Sequence, residues 1–108
     1  MENKQENENI EQRASLNITR EELALCLSKY IEENNINIPA VLVLFPPYDD
    51  EECISEDARI AVNQMRNTGL MQSKRDNLFE PKAKVTIEEL FGVFKKFNEK
   101  VNDTHYNN

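Results

Sequence analysis

Tryptophan is absent from this 108-residue chain, glycine occurs only at Gly69 and Gly92, and His105 is the single histidine. Two isolated glycines cannot make the glycine-rich loop whose backbone N–H groups cradle a phosphate. A lone histidine, with no second ligand or nucleophile near it in sequence, builds neither a metal centre nor a catalytic dyad. Cysteine is as scarce: the spacing of Cys26 and Cys53 fits neither a CxxC redox pair nor a zinc ribbon. Both read as small apolar or half-exposed residues, with a disulfide as the competing reading. Neither they nor Ser28 and Ser55 have a sequence context that would activate a nucleophile. No apolar run reaches the roughly 18 residues that read as a membrane span. Cations are outnumbered, 13 Lys and Arg against 20 Asp and Glu, and the formal charge of −7 works against phosphate backbones and anionic membranes. These absences predict a protein that is not an enzyme, needs no cofactor or metal, and neither binds nucleic acid nor inserts into a membrane.

What is present suits one small domain: 39% hydrophobic and 31% charged residues cannot furnish two independent cores in so short a chain. Residues 1–15, "MENKQENENIEQRAS", hold almost nothing apolar and are expected to form a disordered lead. They also lack the basic start and apolar centre of a secretory signal. The domain is expected over residues 16–101 and a flexible tail over 102–108.

Hydrophobic periodicity predicts a mainly α fold, three principal helices joined by long loops with one short extended segment. In the first helix Thr19 is the N-cap and Glu22 stands three residues on, the reciprocal capping box in which each side chain satisfies the other's backbone N–H. Leu23, Cys26, Leu27, Tyr30 and Ile31 then fall on one face. The second helix is expected from about Glu56 to Asn67, capped by Ser55, with Ala58, Ala61, Val62 and Met65 inward and Gly69 as a left-handed stop. The third repeats the first: Thr86 caps, Glu89 closes the box, and Leu90, Val93, Phe94, Phe97 and Val101 make the stripe. Phe91, Phe94 and Phe97 read as core or interface packing.

Of the connectors, "AVLVLF", Ala40 to Phe45, is apolar and rich in β-branched residues between prolines, and predicts a buried extended segment. Asp49, Asp50, Glu51 and Glu52 lack the spacing and central glycine of a calcium loop, and read as solvated acids near a helix start. Leu78-Phe79 in the last loop reads as an apolar plug, with Phe79 the anchor.

"NITREELALCLSKY", Asn17 to Tyr30, returns 67 residues later as "KVTIEELFGVFKKF", Lys84 to Phe97. Thr19/Thr86, Glu21/Glu88, Glu22/Glu89, Leu23/Leu90 and Lys29/Lys96 are identical pairs. The chain therefore carries one unit and the leading helix of a second.

The ordered string of "ITREEL", "YDD", "ISEDARIAVNQMRNTGLM", "LFEP" and "VTIEEL", spanning Ile18 to Phe97, resembles the S-layer homology domains of bacterial cell-surface proteins. The resemblance implies a non-catalytic module that anchors to a cell-wall secondary polysaccharide, often one bearing acidic pyruvyl ketals. It implies glycan contact through the motif at Thr19 to Glu22, above all Arg20, with Lys74 and Asn77 as loop contributors. Physically, Arg20 at a helix start stands beside unpaired N–H groups and the positive dipole end, an arrangement suited to anions. A solvated surface residue and an intramolecular ion pair are the other readings of Arg20. Ile87 replaces that arginine in the second copy. The second function expected from the residues is a protein-interaction or self-assembly module, because both end helices expose a repeat edge. A homo-oligomer, with three chains completing a threefold as one form, follows from that. The compartment stays open between cell wall, for part of an exported protein, and cytoplasm.

Overall fold

The computed structural model describes residues 15–41 and 43–106, with side chains as far as Val101. The elements run β1 (Ser15–Thr19), α1 (Arg20–Glu33), two 3₁₀ turns (Glu51–Cys53 and Glu56–Ala58), α2 (Arg59–Thr68), β2 (Lys84–Thr86) and α3 (Ile87–Tyr106). The architecture is a small, mostly helical domain with a two-stranded antiparallel sheet.

Each repeat copy contributes one strand to that sheet. Ser15 faces Thr86 and Thr19 faces Lys84, with a shift of register between them. Equivalent segments thus lie side by side and antiparallel, related by a local pseudo-twofold. Lys84 Nζ donates to Asn17 Oδ1, its own equivalent in the other copy, at 2.8 Å. Arg20 N–H donates to Ala83 O and Glu21 N–H to Pro81 O, so the ladder continues into the first turn of α1 and occupies two donors the helix start would otherwise leave unpaired.

The core lies between α1 and α2. Leu23, Ala24, Leu27 and Ile31 meet Ala58, Ala61, Val62 and Met65, all within 5% of full burial. Small residues on α2 let the helices approach closely, and Gly69 ends α2 at φ +76°. Phe79 is wholly buried beneath them, its ring 5.4 Å from that of Tyr48. Asp50 holds the plug in place: its carboxylate accepts the N–H groups of Phe79 (3.0 Å) and Glu80 (2.8 Å), which fixes Glu80 in a left-handed conformation at φ 56°.

Several expectations are corrected. The segment Ala40–Phe45 is neither strand nor buried: Val43 is 56% and Leu44 99% exposed, while Leu42 lies outside the described residues. A strand needs a ladder, and the ladder here is made by β1 and β2; the core volume is filled by α1, α2 and the Phe79 plug. Ser55 does not cap the middle helix, which begins at Arg59 after a 3₁₀ turn. Its hydroxyl instead donates to Glu21 Oε2 at 2.6 Å. Cys26 is exposed and Tyr30 52% exposed, because α2 covers the Leu23–Leu27–Ile31 side of α1. Of the α3 stripe, Val93 is buried, Leu90, Phe97 and Val101 are half-buried and Phe94 is 43% exposed. Ser15, assigned to the lead, belongs to β1; residues 1–14 lie outside the described residues. Helix α3 continues past Val101 to Tyr106, through most of the expected tail, whose residues 107–108 are likewise outside them.

Candidate functional site

The two helix starts and the Leu70–Lys74 turn enclose a groove of about 290 Å³. Its ionisable walls are Arg20 from α1, Lys74 from the turn, and Glu89 and Lys96 from α3. In a chain of formal charge −7, three cations and one carboxylate gather here, so the groove is a local positive site in a negative molecule.

Arg20 forms the floor. It is 3% exposed, and each nitrogen of its guanidinium is engaged: Nε donates to Phe79 O at 2.7 Å, Nη2 donates to Gln72 O at 2.5 Å, and Nη1 is ion-paired with Glu89. The guanidinium carbon stands 4.5 Å over the Phe79 ring. Burial pulls its pKa below the ordinary value, against the raising influence of Tyr48, Glu80 and Asp50. Of the three readings of Arg20, the intramolecular ion pair is the arrangement in the structure. The arginine of the first copy is answered by the glutamate of the second.

That pairing changes the second capping box. Thr86 Oγ1 accepts the Glu89 N–H at 3.0 Å, as expected, but the Glu89 carboxylate is directed to Arg20 and stands 3.7 Å from Lys74 Nζ. In the first copy both halves of the box close: Glu22 N–H to Thr19 Oγ1 at 3.3 Å and Thr19 N–H to Glu22 Oε1 at 2.8 Å. Thr19 is thus committed to its cap.

Glu21 is 6% exposed and turned away from the groove. Its carboxylate accepts the Ser55 N–H (2.9 Å), the Ser55 hydroxyl (2.6 Å) and Lys82 Nζ (2.7 Å). Burial alone would raise its pKa; the hydrogen bonds from Lys82 and Ser55 and the Lys82 charge outweigh that and lower it.

Lys74 lines this groove. Asn77 does not: its amide nitrogen donates to Pro47 O (2.8 Å) and Asp49 Oδ1 (3.1 Å), and its oxygen accepts from Arg66 Nη2 (3.1 Å). Arg66 in turn stacks 3.8 Å over Tyr48. Asn77 therefore fastens the acidic loop to the plug loop.

Sequence reasoning missed Glu89 as a wall and Lys96 as a groove cation. The signal available was the repeat itself, since Glu89 belongs to the second copy of the motif that supplies Arg20. Gly92, which stands where the first copy has Leu25, keeps one wall low. Among the described residues no cluster of His, Cys, Asp and Glu is arranged to hold a metal, and no helix is long and apolar enough to cross a membrane. No family model matches the chain, and no curated protein or solved structure matches it either.

Proposed function

We propose that the chain is a non-catalytic module of the S-layer homology type that holds an anionic cell-wall polysaccharide in the groove beside the first helix start. The reading rests on one observation above all, the gathering of Arg20, Lys74 and Lys96 around a groove in a chain of charge −7. Lys74 and Lys96 are exposed and reach the sugar acid; Arg20 acts from beneath, holding the turn from Gln72 and the start of α3 in register. The repeated capped helix and the Phe79 plug support the family assignment.

Calorimetric titration of a pyruvylated wall-polymer fragment tests this. Lys74→Ala and Lys96→Ala should each weaken binding about tenfold, the size of one charge-assisted contact, and added salt should weaken it further. Absence of binding by the folded wild-type protein contradicts the reading. A protein-interaction module is the second reading, favoured by Leu44 at 99% and Phe91 at 67% exposure.

A further inference from the structure

We infer that Gly92 fits the groove beside the first helix start to a sugar ring, and not to an acid group alone. The inference rests on the glycan reading above and names the residue that makes that site selective. The ring packs on the bare backbone of α3 at Gly92, its acid group reaches Lys96 and Lys74, and its hydroxyls meet Gln72 and Ser73.

A glycine inside a helix weakens it, and has a structural reason where the chain needs a positive φ or another group must come close to the backbone. Neither reason exists within the fold at Gly92. The positive-φ glycine of this chain is Gly69, and a Cβ added at Gly92 would meet no atom within 4 Å. The first copy of the motif has Leu25 at the equivalent place, half-buried against the core. The fold therefore has room for a side chain at Gly92 and forgoes it, at an exposed position in the wall of a groove. What the missing side chain admits comes from outside the chain.

Glu89, Gly92, Val93 and Lys96 follow at i, i+3, i+4 and i+7, so one face of α3 makes that wall. Lys96 stands one helical turn beyond Gly92, about 5–6 Å along, which brings the acid substituent of a ring on Gly92 within its reach. Lys74 Nζ is 3.7 Å from the Glu89 carboxylate, beyond hydrogen-bond length, and keeps its donors for a ligand. Gln72 and Ser73, from the neighbouring turn, are exposed, and no hydrogen bond engages their side chains among the described residues. A bare anion needs only the two lysines; an amide and a hydroxyl beside them suit a polyol. At about 290 Å³ the groove falls just under the ~300 Å³ at which pockets for drug-sized ligands begin, so it seats one sugar unit and not a length of polymer.

Calorimetry with a single pyruvylated repeat unit of a wall polymer tests this on the wild-type chain, Gly92→Ala and Gly92→Leu, with thermal melts of the same samples. Gly92→Ala should raise the melting temperature by a few degrees and yet weaken binding about tenfold, the effect of one methyl group forced into a filled site. Gly92→Leu should abolish measurable binding while circular dichroism shows the fold retained. A glycine kept for structure alone would lose stability and affinity together when replaced. Gly92→Ala binding as tightly as the wild type, or losing affinity only along with a lowered melting temperature, would overturn the inference and leave the lysine contacts standing. No binding by the folded wild-type chain would overturn the glycan reading and this inference with it.

Discussion

The two helix starts of this chain share Thr, a variable residue, Glu and Glu, and the fold uses them differently. At the first, the capping box closes on itself, Arg20 is buried and Glu21 is drawn inward to Ser55 and Lys82. At the second, Ile87 is half-buried, Glu88 is exposed and Glu89 leaves its own box to pair with Arg20. The difference lies in the neighbour. Arg20 is stable in the interior because the next copy of the motif delivers a carboxylate. An arginine at position 87 would need a third copy to do the same, and the described residues hold none. Ile87, half-buried and uncharged, needs no such partner.

The comparison breaks most severely if its central pair is cut. Arg20→Met leaves Glu89 and the carbonyls of Phe79 and Gln72 without their donor, and should cost about 3–5 kcal/mol by urea denaturation. Exchanging the other arginine position, in Ile87→Arg, should change stability by no more than about 1 kcal/mol if the side chain reaches solvent.

A smaller test separates the two second-position glutamates. Glu21→Gln should destabilise by about 1.5–3 kcal/mol through its charged hydrogen bonds, whereas exposed Glu88→Gln should stay within about 0.5 kcal/mol. The pH dependence has a definite sign. Because the folded-state pKa of Glu21 is lowered, its contribution is complete above the unfolded-state value near 4.5 and is lost as pH falls through the folded value. Wild-type stability should therefore fall more steeply below about pH 4.5 than that of Glu21→Gln.

The caps follow. Thr19→Ala, opening a closed box, should cost about 1 kcal/mol, and Thr86→Ala, where only half the box is made, about 0.5 kcal/mol. Smallest is Gly92→Ala: an added Cβ would meet no atom within 4 Å, so the helix should gain up to about 1 kcal/mol. Thermal melts of the three variants rank them.

Much of the fold is legible in the sequence where the cause is local. Thr19 with Glu22 marks a helix start, Gly69 marks a stop, and the Ala58–Ala61–Val62–Met65 spacing marks a buried face, because capping and periodicity act within a turn or two. Phe79 is legible as a plug because, from Gln72 to Lys82, only it and Leu78 are large and apolar. The reading fails where partners are distant. Ser55 looks like a cap until Glu21, 34 residues away, takes its hydroxyl. Val43 and Leu44 look like a buried strand until the ladder forms between β1 and β2 instead. Position 20 stays ambiguous because its partner, Glu89, is separated from it by the whole repeat, and Lys96 becomes a groove residue only after that pairing fixes α3.

A double-mutant cycle on Arg20 and Glu89 tests most directly the claim that the two motif copies lock each other. The account predicts that Arg20→Met and Glu89→Met are each strongly destabilising, while the double variant, with no unpaired buried charge left, recovers at least about 2 kcal/mol of their sum. Additive losses, or a Glu89→Met variant as stable as the wild type, would contradict it.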